Sequence, residues 1–137
     1  MITVFYDAKC GLCSKIMDHY RKTAPNNIFN WRDVTESSNT LRNKGVTLVQ
    51  GLKKIHALDS NGEIYIGVDV FILIWKQLRR WKLLALFISL PVIKQFVNFL
   101  YIKLAGWRFK SLGHCQLALK KECKEFRNQK ATSCRYK

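Results

Sequence analysis

Residues 2–6, Ile-Thr-Val-Phe-Tyr, form a β-branched and aromatic run of the kind that fills a strand covered on both faces. Asp7-Ala8-Lys9 interrupts it. From Cys10 the apolar period changes. Cys13, Ile16, Met17 and Tyr20 recur at helical spacing while Lys15, Asp18, His19, Arg21 and Lys22 are polar, so a helix is expected to open near Cys10 and end before Pro25. Residues 28–34 alternate, with Phe29 and Trp31 on one side and Asn30 and Arg32 on the other, which predicts a second strand parallel to the first through a right-handed crossover. Asp33 and Glu36 have capping-box spacing and predict a short helix over 35–44, stopped by Gly45. After an irregular stretch, residues 55–58 and 63–66 flank Asp59-Ser60-Asn61-Gly62, whose Asn-Gly pair is a strong hairpin signal.

Residues 67–110 then read as helical and strongly apolar, in segments near 69–79, 82–90 and 91–110, with Pro91 at a first-turn position. In the last of these Ile93, Phe96, Val97, Leu100, Leu104 and Trp107 form a continuous stripe opposite Lys94, Gln95, Asn98 and Lys103, the pattern of a helix packed on a core. The sequence beyond residue 113 is polar and basic, with a helix expected near 116–126 and a frayed tail after it. The resulting order β-α-β-α-β-β-α is that of the thioredoxin-like fold: α/β, with a four-stranded mixed sheet and a C-terminal helical extension starting near residue 81. No linker or repeat divides the chain. One domain is expected over 1–115, followed by a basic, partly helical tail over 116–137.

Length and composition sharpen this picture without changing it. A chain of 137 residues buries one core, and 48% hydrophobic with 24% charged residues disfavours disorder and coiled coils. Charge is the departure: 24 Lys and Arg against 9 Asp and Glu give +15, an attraction to acidic partners. The N-terminus has neither a basic nor a long apolar leader region. The longest apolar run, residues 83–93, is broken by Ser89 and Pro91 and falls short of the ~20 residues a span needs. A cytoplasmic protein without a transmembrane span is the expectation, and there a close cysteine pair points to redox or metal chemistry before a structural disulfide.

Cys10-Gly11-Leu12-Cys13 supplies the two thiols that thiol-disulfide exchange requires, one to attack and one to resolve the mixed disulfide. Placed at a helix start, Cys10 gains from unpaired backbone N–H groups and the macrodipole, which favour its thiolate. Cys10 is therefore expected to be the solvent-facing nucleophile, and Cys13, one turn into the helix, the buried resolving thiol. Asp7 has two compatible roles, a cap on the strand-to-helix turn or the proton acceptor for Cys13. A zinc half-site completed by His114 with Cys115 or Cys123 is the alternative for the pair, but the opening of an amphipathic helix is an unusual place for one, and no metal is expected. A rival of another class is a basic nucleic-acid or membrane-surface binding module, suggested by Arg79-Arg80-Trp81-Lys82 and Trp107-Arg108-Phe109-Lys110. Amphipathic core helices produce the same strings, and nucleic acid is the weaker expectation.

The run Tyr6-Asp7-Ala8-Lys9-Cys10-Gly11-Leu12-Cys13 resembles the signature of the DCC family of thiol-disulfide oxidoreductases, named for Asp-x-x-Cys-x-x-Cys. Gly67-Val68-Asp69-Val70-Phe71 resembles the family's Gly-x-Asp-Ala-Phe segment, with Val70 in place of Ala. Tyr101, Ala105 and Arg108 match its later Tyr-x3-Ala-x2-Arg pattern, and Cys115 sits where many members have a late cysteine. The resemblance implies a thioredoxin-like fold and dithiol chemistry but no substrate; with the residues read above, the expectation is an enzyme exchanging its dithiol with protein or small-molecule thiols and disulfides, and no cofactor is expected. Cys10, Cys13 and Asp7 are then the expected catalytic residues. Tyr6, Tyr101 and Arg108 are candidates for a supporting shell, and Cys115 for an auxiliary thiol; acidic proteins are the expected partners. In one respect the chain departs from thioredoxins and glutaredoxins: residues 46–54 contain no proline where those proteins place a cis-proline facing the dithiol.

Overall fold

The computed structural model describes residues 1–129. Its elements run β1 (Ile2–Tyr6), α1 (Gly11–Thr23), β2 (Phe29–Asp33), α2 (Ser38–Arg42), α3 (Leu48–Lys53), β3 (His56–Leu58), β4 (Ile64–Ile66), α4 (Val68–Gln77), α5 (Lys82–Ile88), α6 (Pro91–Ser111) and α7 (Gly113–Gln129). The sheet has the order β2-β1-β3-β4: β1 pairs parallel with β2 and antiparallel with β3, and β3 and β4 form the hairpin. This is a mixed four-stranded α/β architecture, consistent with the thioredoxin-like fold.

Val4 and Phe5 of β1 are fully buried on opposite faces, as expected of a central strand without a polar side. Val4 joins Met17 and Tyr20 of α1 and Val70 and Ile74 of α4 in one core cluster. Phe5 joins Val34, Leu41, Val49 and Leu52, together with Phe109 and Cys115 from the C-terminal helices, in a second. The C-terminal helices thus help to close one face of the sheet. Gly67 stands between β4 and α4 at φ +63, a conformation disfavoured for residues with a Cβ. The Tyr101 ring lies 3.1 Å from where a Cβ would project, so both backbone and packing call for glycine there.

Several expectations need correction. The helix foreseen over 35–44 shrinks to α2, because the Asp33 carboxylate accepts the Thr35 N–H at 2.9 Å in a local turn and does not open a helix. The irregular stretch before β3 holds α3, opened by a capping box in which Thr47 and Gln50 bond reciprocally. Helix α7 begins at Gly113, earlier than expected. The largest difference concerns α6. Its buried residues are Ala105 and Phe109, while Phe96, Leu100, Leu104 and Trp107 of the expected core stripe are exposed. Helical spacing alone cannot decide between the faces of a helix that is apolar nearly all round. Cys134 and the end of the basic tail lie outside the described residues.

Candidate active site

The site forms where β1 stops. Asp7, the residue after the strand, is almost completely buried, and its two carboxylate oxygens serve different neighbours. Oδ1 accepts the backbone N–H of Lys9 at 3.1 Å and fixes the turn into α1. Oδ2 faces the C-terminal helices. It accepts from Arg108 Nη1 at 3.4 Å, lies 2.8 Å from His114 Nε2, and is 3.7 Å from the Cys115 thiol. Residues more than a hundred positions apart in sequence therefore converge on one oxygen.

Cys10 is the N-cap of α1, with its Sγ accepting the Cys13 N–H at 3.3 Å. Its exposure is only 2%, whereas Cys13 is half-buried. This reverses the accessibility expected from sequence: Cys10 lies against Arg108, while Ala8, Lys9, Gly11 and Leu12 around it are exposed. Burial pushes the Cys10 pKa up, but hydrogen bonds from the Cys13 thiol and N–H and from Arg108, together with the guanidinium charge, outweigh it and hold the pKa below the ordinary thiol value. Cys13 moves the opposite way. Desolvation first, then its hydrogen bond to Cys10 and the charges of Cys10 and Asp7, push it up to about 12, with Arg108 opposing. The two sulfurs thus share a helix terminus but not a protonation tendency.

Arg108 connects the site to the rest of the fold. Besides Asp7 and Cys10, its guanidinium donates to the carbonyl oxygens of Leu52 and Lys53 at the end of α3. The segment before β3, which has no proline, thus approaches the dithiol through an arginine that binds its backbone. Tyr101, two turns earlier on α6, accepts the Ile55 N–H at 3.0 Å. Beside Cys13 lies a largely apolar cavity of about 130 Å³, bordered by Leu12, Ile16, Phe71, Tyr101, Leu104 and Arg108. A larger groove of about 660 Å³ between α3 and α7 reaches His114 but neither cysteine of the pair. Tyr6 also borders the smaller cavity, and its hydroxyl accepts from Arg21 at 3.2 Å.

Of the supporting-shell candidates, Arg108 meets Asp7 and the dithiol, and Tyr101 borders the cavity beside Cys13 while holding the Ile55 N–H. His114 was considered only as a zinc ligand, and its contact with Asp7 was missed. The adjacent pair His114-Cys115, six and seven residues past Arg108 at the start of α7, was the available signal. Asp7, His114 and Cys115 offer donor atoms within 4.8 Å of one another. The oxygen they share also faces Arg108, so a cation there would sit against a guanidinium. Cys123, the other zinc ligand considered, is half-buried on α7 and outside this cluster. His19 is exposed, and His56 is buried in β3 with Nδ1 2.8 Å from the Lys54 carbonyl oxygen.

A family model described as DCC1-like thiol-disulfide oxidoreductase matches residues 4–114, most of the chain. The chain belongs to this family. The match begins in β1 and ends at His114, and so spans the dithiol turn, Asp7 and Arg108. No curated protein and no solved structure matches the chain. The family name carries the activity at the level of thiol-disulfide oxidoreduction. The roles of individual residues are a matter for the chemistry of this site.

Proposed function

We propose that the chain is an enzyme that exchanges two electrons with thiol or disulfide substrates through Cys10 and Cys13. The observation that carries this reading is the seat of the pair at the start of α1, where Cys10 caps the helix, its Sγ accepts the Cys13 N–H and Arg108 stands beside it, an arrangement that favours Cys10 as thiolate and Cys13 as thiol. In the reductive direction the Cys10 thiolate attacks one sulfur of a substrate disulfide. The substrate S–S bond breaks, one substrate thiolate leaves, and a mixed disulfide forms on Cys10. Cys13 then gives up its proton and attacks Cys10 Sγ, releasing the second substrate thiolate and leaving a Cys10–Cys13 disulfide. Two electrons have passed from the protein dithiol to the substrate, and the reverse sequence oxidises a substrate dithiol.

Asp7 is the proton acceptor for Cys13 in this scheme, through Oδ2, while Oδ1 keeps its cap on the turn. Its negative charge already acts on Cys13, and His114, a quarter exposed, gives the oxygen a neighbour in contact with solvent. Arg108 stabilises the Cys10 thiolate and positions Asp7; Tyr101 holds the chain entering β3. Cys115 is buried and pushed up to about 12 by that burial and by Asp7, which favours a hydrogen-bond donor over an attacking sulfur. The +15 charge favours acidic partners, and a reducing compartment such as the cytoplasm suits a dithiol that must be regenerated. No cofactor enters the scheme.

The test is a redox titration of the purified chain in glutathione buffers, with each cysteine's alkylation read by mass spectrometry. A two-electron couple at Cys10 and Cys13 is expected. Modification of these two sulfurs that stays unchanged across the buffer range would reject the reading.

A further inference from the structure

Helices α5 and α6 leave a large apolar surface unpartnered. On α5, Leu83 (81% exposed), Leu86 and Phe87 stand at i, i+3 and i+4 and so share one face. On α6, Val92, Phe96, Phe99 and Trp107 (66% exposed) fall on another common face. The opposite side of α6 is engaged with the fold, where Ala105 and Phe109 are buried and Arg108 and Tyr101 reach the dithiol region. A helix that is apolar on both sides but covered on one lacks a neighbour among the described residues.

The charge around this surface says what the neighbour is. From residue 70 to residue 121 the sequence contains no Asp or Glu, while Arg79, Arg80, Lys82, Lys103 and Lys110 border or interrupt the apolar faces. Lys103 Nζ lies 5.5 Å from the Phe99 ring centre, a cation carried on the apolar face itself. We propose that the α5–α6 corner docks on the surface of an anionic lipid bilayer. The apolar side chains enter the headgroup boundary, and the Lys and Arg side chains reach to the lipid phosphates and carboxylates.

Other geometries fit less well. Among the described residues no single helix is long and apolar enough to cross a membrane; α5 and α6 reach that length only together, bent by 92°, and the hold of Tyr101 and Arg108 on the rest of the fold keeps one side of α6 out of lipid, which favours a surface position. A second copy would bring two chains of +15 together through cationic rims. Nucleic acid would find phosphate partners here but no use for exposed Leu83, Leu86 and Val92. The exposed Leu104 also borders the cavity beside Cys13. Docking therefore brings the mouth of that cavity close to the lipid surface, a consequence that rests on the dithiol reading, whereas the docking itself does not.

The full chain should sediment with phosphatidylcholine–phosphatidylserine vesicles and remain in solution with phosphatidylcholine alone, with binding weakened by salt. The double variant Leu86→Ser/Phe87→Ser should lower the partition coefficient at least about tenfold. Arg79→Gln/Arg80→Gln/Lys82→Gln should lower it at least about tenfold by loss of the salt-sensitive part. Both variants should keep the wild-type circular dichroism and the wild-type rate with a small soluble disulfide. Absence of sedimentation with anionic vesicles, or equal binding by the variants, would overturn the proposal. So would a dimer in ultracentrifugation that Leu86→Ser/Phe87→Ser dissociates, or tight binding of an oligonucleotide by a chain that ignores vesicles. The sedimentation readout needs no redox activity, so its failure leaves the dithiol reading intact, and a chain without exchange activity can still pass it.

Discussion

Arg108 donates to Asp7 and to the carbonyl groups of Leu52 and Lys53 while favouring the Cys10 thiolate, so one side chain links the nucleophile, the buried acid and the end of α3. Replacing it with Gln removes the charge. The pH at which Cys10 alkylates at half its maximal rate should rise, whereas Arg108→Lys, which keeps the charge but not the fork of donors, should shift it less. A pH series of alkylation rates resolved by mass spectrometry checks both. Asp7→Asn tests the acid. It should lower stability by about 1–3 kcal/mol through the loss of a buried charged acceptor, and it should slow resolution of the mixed disulfide while sparing the first attack. Stopped-flow measurement of the two steps separates them, and equal slowing of both would assign Asp7 to the turn alone. At this scale the sequence was informative about the reactive pair and about Asp7, because Asp-x-x-Cys-x-x-Cys is local. Burial was not legible: Cys10 is buried beside Arg108, about a hundred residues downstream, and no spacing within the motif reports that.

Strands and hairpin were predictable from period and turn chemistry, since β1, β2 and the Asn61-Gly62 turn each carry their own signal. Helix α3 was overlooked because the helix that Thr47 and Gln50 open has only six residues, too few for a period to show. Its packing can be tested at Gly51, where a Cβ would lie 2.5 Å from Val34 Cγ2 and 3.3 Å from Leu41 Cδ1. Gly51→Ala should cost about 1–3 kcal/mol in a urea melt by overpacking this junction. In β3, burial of His56 disfavours the imidazolium and lowers its pKa. The unfolded chain therefore takes up that proton first as the pH falls below about 6.5. The stability His56 contributes is present above that pH and is lost as pH falls toward the folded-state pKa. The urea midpoint should drop between about pH 7 and about pH 5, and His56→Gln should flatten the drop.

Across the whole molecule, the C-terminal helices act as both scaffold and site. Phe109 and Cys115 close the core over Phe5, while Arg108 and His114 from the same stretch meet Asp7. The outer face of α5 and α6 stays open and basic. Reading α6 from sequence gave its length and its Pro91 start but not its orientation, because both sides are apolar and only the tertiary structure chooses between them. The central claim is that Cys10 attacks and Cys13 resolves, and trapping tests it most directly. Cys13→Ser, reacted with a disulfide substrate, should accumulate a mixed disulfide on Cys10 that persists under non-reducing conditions, whereas Cys10→Ser should accumulate none. A mixed disulfide on Cys13 in Cys10→Ser, with none on Cys10 in Cys13→Ser, would contradict the account.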